Sequence, residues 1–430
     1  MPLLKPHRSF RERVRRLWRR AELLRTLCSR RMLVTFIMGF AAGLPLLLTI
    51  GVLQAWMTDA GVDLTIIGLM TLVQIPYTWK FLWAPLLDRY AIPFLGRRRG
   101  WLTIAQLALI ASIAGLALTD PQQHFGLMAL AACLVAFFSA TQDIVIDAYR
   151  REDLPDKELG IGSSLYIYGY RLGMLLAGGG GLIMADHMSF SQVYGIMALC
   201  LLPCLITTWF TPEPPIVEGT PTTLKEAVVA PLLEYFRRPE ALWMLAFILF
   251  YKLGDTMASA ISTPFYLDLG FSKSEIGTVV NLFGFWATIA GAGIGGITIL
   301  RLGIPRCLWI FGVLQALSTA CFAVLARVGE HLPTLAGVIT FENFSSGMGT
   351  SAFVAFMASI TNKKFTATQY ALLSSLMGMP RVFAAAPTGF MAKSMGWEGF
   401  FIFCTLIAFP GMLILMKFAP WNARRSATDP

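Results

Sequence analysis

Charge is scarce in this chain. Of 430 residues only 14% are Asp, Glu, Lys or Arg, against about 25% in an ordinary soluble domain. Histidine is scarcer, with His7, His124, His187 and His331 the whole complement, and none lies inside an apolar run. That excludes a histidine metal cluster and a buried histidine relay, so any proton handling falls to carboxylates. The seven cysteines, Cys28, Cys133, Cys200, Cys204, Cys307, Cys321 and Cys404, show no pairing pattern and no CxxC spacing, which argues against a disulfide framework or a thiolate metal site. No nucleophile arrangement, metal-ligand spacing or nucleotide motif is found, so neither an enzyme nor a metal is expected. What the chain has instead is 56% hydrophobic residues and a mean hydropathy of +0.63, the composition of an integral membrane protein.

Apolar stretches of about 20 residues recur near 33–57, 64–88, 101–119, 126–148, 160–185, 191–211, 241–267, 274–299, 305–326, 333–360, 366–392 and 398–418. These predict twelve transmembrane helices. The net charge of +10 does not describe a nucleic-acid face, because the cations follow alternate loops. Residues 1–31 hold eleven, and others gather at Arg97 to Arg99, Arg150, Arg151, Arg237, Arg238, Arg301, Arg306, Lys363, Lys364, Arg424 and Arg425. The opposite loops carry Asp59, Asp63, Asp120, Asp186 and Asp268. The positive-inside rule then places both termini in the cytoplasm. The basic N-terminal segment lacks a signal-peptide cleavage pattern and is expected to lie in solvent or on lipid headgroups. A proline-rich polar connector divides the spans six and six. The expected organisation is a basic segment 1–31, a six-helix bundle 32–211, a cytoplasmic linker 212–240, a second bundle 241–419 and a tail 420–430.

Ionisable side chains at membrane depth cost about 2.5–3.5 kcal/mol each on insertion scales and mark polar pathways. Lys252 and Asp255 lie at i,i+3 in the seventh span and either neutralise one another or couple protonation to helix movement. Gln142-Asp143 and Asp147 place two carboxylates at i,i+4 on one face, close enough to repel, as a group that loads and releases a proton requires. Asp143 is the stronger proton candidate, since Asp147 neighbours Arg150 and Arg151. Glu342, followed by Asn343, is expected to be protonated or paired, with Arg381 a candidate partner. Proton coupling is thus assigned to Asp143, Asp255, Glu342, Lys252 and Asp147. The cations Lys80, Arg171, Lys252 and Arg381, with the amides of Gln54, Gln74, Gln142, Gln369, Asn281 and Asn343, suit an anionic substrate rich in hydroxyls and amides. Among the aromatics Trp56, Tyr77, Trp79, Trp83, Tyr166 and Tyr170, Tyr77, Tyr166 and Tyr170 join the candidate binding set, either stacking on sugar rings or simply seated at interfaces. Glycines at Gly173, Gly178 to Gly181, Gly284, Gly291, Gly293, Gly295 and Gly296 are expected to let helices approach closely.

The halves repeat weakly at an offset of 205–211 residues: Phe36-Ile37 with Phe247-Ile248, Ile67-Gly68 with Ile276-Gly277, Phe138-Ser139 with Phe344-Ser345. The loop after the second span reads Asp88-Arg89 and then Gly96-Arg97-Arg98-Arg99. This resembles the cytoplasmic signature of the major facilitator superfamily, with Ala84 in place of its first glycine and several residues inserted; Asp88, Arg89, Arg97 and Arg98 are the expected cytoplasmic gate. Further segments resemble AmpG-type muropeptide permeases of that superfamily. They are Gly39-Phe40 to Pro45, Leu53-Gln54-Ala55-Trp56-Met57, Lys80-Phe81-Leu82-Trp83-Ala84-Pro85, Ser139 to Ala148, Gly169-Tyr170-Arg171-Leu172-Gly173, Tyr251-Lys252-Leu253-Gly254-Asp255, and Phe341-Glu342-Asn343 to Ala355.

The resemblance implies an all-α membrane protein of the major facilitator fold, two six-helix bundles around a cavity, in the inner membrane of Gram-negative bacteria. It implies import of N-acetylglucosaminyl-1,6-anhydro-N-acetylmuramyl peptides from the periplasm, driven by the proton gradient without a cofactor, for peptidoglycan recycling and with consequences for β-lactamase induction and antibiotic resistance. A monomer in the lipid bilayer, with anhydromuropeptide and protons as its partners, is expected. Members often carry two or more further C-terminal helices; here the sequence ends after the twelfth, so those helices are either dispensable or their absence marks a variant. The same fold with another cargo, a siderophore or an acyl-CoA-like anion, is the alternative.

Overall fold

The computed structural model describes residues 29–62, 70–215, 223–271, 273–384 and 387–419. Among these the chain is built of helices joined by loops, and besides a linker helix it forms twelve: α1 (30–59), α2 (70–89), α3 (Arg98–Ala117), α4 (Phe125–Asp153), α5 (159–185), α6 (190–210), α7 (241–268), α8 (273–302), α9 (Ile304–Val328), α10 (Leu332–Ile360), α11 (Thr366–Phe383, resumed at 388–395) and α12 (397–418). The last two are separated at Gly396, whose φ of 70° and ψ of 164° are not helical. By length and composition, eight of the described helical stretches could each cross a bilayer. Large apolar side chains such as Leu107, Leu199, Trp286 and Leu413 project outward, as lipid-facing residues do. The linker helix Leu224–Phe236 stands between α6 and α7, opened by a Thr223/Glu226 capping box.

Irregular backbone sits where polar side chains do. In α2, Pro76 and Pro85 each lack an N–H, and the helix alternates 3₁₀ and α turns, Met70–Gln74, Ile75–Trp79, Lys80–Leu82 and Ala84–Arg89. The seventh helix breaks into Ala241–Phe250, Leu253–Ala260 and Ser262–Asp268. Lys252 is the N-cap of the middle piece and Asp255 lies in its first turn, where the helix dipole favours a carboxylate. Turns of π-helix interrupt α1 at Leu48–Val52, α5 at Leu176–Gly180 and α8 at Gly277–Phe283. Such breaks in membrane helices are tolerated where they line a cavity.

Glycine sets the closest packing. A Cβ at Gly39 or Gly43 of α1 would strike the backbone of Tyr166 or Tyr170 in α5, and one at Gly169 or Gly173 would strike Phe36 or Phe40 in return. In the second half, Gly291 and Gly295 of α8 meet Phe344 and Met348 of α10 in the same way. Apolar clusters fill each half. Two more reach across: Met32, Leu154, Leu159 and Ile161 join a second-half core, and Ala367 and Ala371 of α11 join a first-half one. The halves also touch along α5 and α8, where Ser164 Oγ donates to the Ala292 carbonyl at 2.8 Å.

Candidate functional site

Three polar groups are built into this apolar frame. The first lies on α2, α4 and α5. Lys80 is buried on the 3₁₀ turn of α2 and acts electrostatically on both Asp143 and Asp147 of α4. One Asp143 oxygen is buried without a hydrogen-bond partner. Asp147 is tied to Arg150 at 3.1 Å. Arg151, a neighbour on the sequence, instead turns to Asp156 at 2.6 Å. Tyr77 donates to Ser139 Oγ at 2.7 Å, and Tyr166 and Tyr170 stand side by side with ring centres 6.1 Å apart. Gln74 donates to Thr49 of α1 at 2.6 Å. Gln142 uses its amide N–H on the Ala41 carbonyl at 2.8 Å, tying α4 to α1 and leaving Oε1 buried and unpartnered. Trp56 is not an open platform, because it packs on Phe190 and Tyr194 inside the core.

The second group lies on α7, α9 and α10. Lys252 Nζ donates to Thr350 Oγ1 at 2.9 Å and stands 3.5 Å from Asp255 Oδ2. The Glu342 carboxyl of α10 lies in the field of Asp255 and Lys252, with Arg171 of α5 also acting on it. These three are the charged groups acting on Glu342; the side chain of Arg381 lies outside the described residues, as does that of Asn281. Asn343 is engaged by its own neighbours, donating to the Ile339 carbonyl and accepting from Thr288, at 3.1 and 3.0 Å, so it joins α10 to α8. Gln369 sits far from these groups, bonded to Pro231 and Glu234 of the linker helix.

The third group closes the basic end of the bundle. Asp88 at the end of α2 accepts from the backbone N–H of Ala367 at 3.1 Å, and from the N–H and hydroxyl of Thr368 at 2.8 and 2.7 Å. It thus caps the first turn of α11 from the other half of the molecule, where unpaired N–H groups and the helix dipole favour an anion. Arg98 holds this carboxylate at 2.7 Å, donates to Glu152 at 2.6 Å and to Thr366 at 2.6 Å. Arg97 also reaches Glu152, at 3.0 Å, and Thr366 donates to Glu152 as well. Arg89, expected to join this cluster, lies over the Tyr90 ring instead. Glu213 caps α3 through the N–H groups of Arg98 and Arg99 at 2.7 and 2.9 Å. Arg150 extends the seam to α11, donating to the Tyr370 hydroxyl at 2.8 Å and lying over the Tyr166 ring.

Glu152, Thr366, Thr368, Tyr370 and Gln315 are absent from any reading of the sequence alone, and Thr350 enters it only within a segment of family resemblance, with no role of its own. Glu152 follows Arg150-Arg151 at a helix end, where an acidic residue looks like ordinary surface charge. Only the repeat could have drawn attention to Gln315, since Gln106 stands 209 residues before it.

The family model of the Major Facilitator Superfamily matches residues 32–266 and again 249–429. The anhydromuropeptide permease of Escherichia coli K12 is 44% identical over 398 residues, covering 92% of this chain and 81% of the relative. A putative transporter AmpG 4 of Rickettsia conorii is 32% identical over 396 residues, 90% of this chain and 96% of its own length. Among solved structures, a double-tryptophan mutant of XylE superposes with a TM-score of 0.70 at 13% identity, covering 90% of this chain and 95% of that one. This last likeness is one of fold.

Proposed function

This chain belongs to the Major Facilitator Superfamily and, within it, to the anhydromuropeptide permeases, and from that premise we propose that it imports N-acetylglucosaminyl-1,6-anhydro-N-acetylmuramyl peptides by proton-coupled alternating access. The basic end is read as cytoplasmic, with both termini there and the protein in a Gram-negative inner membrane as a monomer. In that orientation Asp88, Arg98, Glu152 and Thr366 to Thr368 serve as the cytoplasmic gate.

The observation that carries the proposal is the pairing of sequence kinship over 92% of the chain with two polar groups held at depth, one in each half. Lys80, Arg171 and Lys252 supply positive charge for peptide carboxylates, and Gln54, Gln74, Tyr77, Tyr166 and Tyr170 supply hydrogen bonds and ring faces for the sugars. Asp143 in the first half, and the Asp255 and Glu342 couple in the second, carry the proton. When proton and cargo load, Lys252 exchanges its pairing with Asp255 for a substrate anion, and the altered charge at the break in α7 shifts the middle piece of that helix. The Asp88 cap on α11 then has to open for release.

Uptake of a defined labelled anhydromuropeptide into proteoliposomes under an imposed pH difference tests this. The parent is expected to accumulate it against its gradient, with Asp143→Asn and Asp255→Asn reduced to equilibration. Competition by a siderophore or an acyl-CoA, with no competition by unlabelled anhydromuropeptide, assigns the fold to another anion and rejects the proposal.

A further inference from the structure

Between α7, α9 and α12 lies a small cavity of about 10 Å³ lined by Tyr251, Asp255, Gly312, Gln315, Thr319 and Met412 among others, room for one water. Gln315 is 5% exposed. Its Nε2 donates to Asp255 Oδ2 at 3.5 Å, and its Oε1 is buried with no partner. An unpartnered buried carbonyl costs about 1–3 kcal/mol, so its retention beside a titratable group asks for a reason.

The chemistry of the pair supplies one. A carboxylate only accepts hydrogen bonds, whereas a carboxylic acid also has an O–H to donate. A primary amide carries both a donor and an acceptor and changes charge in neither case. The neutral amide of Gln315 can therefore satisfy Asp255 in either state, donating N–H to the carboxylate and turning C=O to the acid, directly or through one water in the cavity.

We propose that Gln315 is a positioning residue for proton coupling, holding Asp255 in both protonation states. Asp255, with Glu342 beside it, carries the proton; the amide neither gains nor loses one. The groups around Asp255 are Lys252 and Tyr251 from α7, Glu342 and Thr350 from α10 with Arg171 beyond, and the uncharged Gln315 and Thr319 from α9; α12 lines the cavity with Ala408 and Met412. Gln106, its counterpart in the first half, accepts from Thr208 at 2.9 Å and leaves its Nε2 buried without a partner.

Two variants separate this role from packing. Gln315→Met keeps the volume and removes both amide functions. Gly349→Ala places a methyl against Gln315 Oε1, so the flexible amide moves and the backbone stays. Since the inference rests on Asp255 as a coupling group, Asp255→Asn is measured beside them. In proteoliposomes, Gln315→Met is expected to exchange labelled anhydromuropeptide across the membrane within about twofold of the parent, while pH-driven accumulation falls about tenfold and its pH profile shifts, as losing a hydrogen bond to a charged group implies. Gly349→Ala is expected to show the same split more mildly, and Gln106→Met to show none. If Asp255→Asn loses accumulation but Gln315→Met and Gly349→Ala retain it with the parent pH profile, the inference fails and the reading of Asp255 stands. If Asp255→Asn still accumulates substrate, that reading fails and takes the inference with it. Parallel loss of exchange and accumulation in Gln315→Met, with Gly349→Ala unchanged, assigns Gln315 to packing and overturns the proposal.

Discussion

Asp88 shows how much one side chain can hold. Its carboxylate is fully buried and joins Arg98 to three donors on α11, so removing it strands both a guanidinium and a helix terminus. Breaking one partner from a buried ion pair costs about 3–5 kcal/mol. Asp88→Ala is expected to open the basic end. The check is labelling of an Ala371→Cys probe, buried in the parent, from that side; an unchanged labelling rate would show that the closure rests elsewhere. The sequence named Asp88, Arg97 and Arg98, because a charged run at a helix end is visible as such. It could not name Glu152 or exclude Arg89, because which cation turns inward depends on the α4 helix end that packs against it.

At the scale of elements, glycine and the linker helix make separable predictions. A methyl at Gly169 would strike the Phe36 carbonyl, while one at Gly51 meets nothing. Overpacking costs about 1–3 kcal/mol, so Gly169→Ala is expected to lower the detergent melting temperature and the yield, and Gly51→Ala to leave both unchanged. In the linker helix, burial would raise the Glu234 carboxyl, but its bonds to Arg238 and Gln369 prevail and hold it below its usual range. A lowered carboxylate contributes its stability above its unfolded value of about 4.3 and loses it as pH falls through the folded value. Glu234→Gln should therefore loosen the linker helix at pH 7 and make no difference in strong acid, as protease cleavage of the linker across pH would report.

For the whole molecule, alternating access needs the halves to move along α5 and α8. Beside that seam, where α10 also meets α5, the Ser164 and Ser351 hydroxyls stand 3.4 Å apart. In a background without the native cysteines, Ser164→Cys with Ser351→Cys is expected to stop uptake on oxidation and to regain it on reduction; uptake that survives oxidation would place the moving seam elsewhere.

Sequence by itself determined that this is a membrane protein of twelve apolar spans, with carboxylates and cations at depth and its basic loops on one side. Those features follow from hydropathy and from helical spacing, which are local. Lys252 and Asp255 could be paired in advance because i,i+3 places them on one face, and Asp147 with Arg150 for the same reason. Tertiary structure alone decided that Glu342 meets Asp255 and Arg171, that Asp88 caps a helix in the opposite half, that Asn343 and Gln142 spend their amides on neighbouring helices, and that Gln315 stands behind Asp255. Each of these pairs is joined across helices far apart in sequence, and which faces meet is set by close approach at glycines and by breaks in α2 and α7, where the backbone leaves the regular spacing on which sequence reasoning depends.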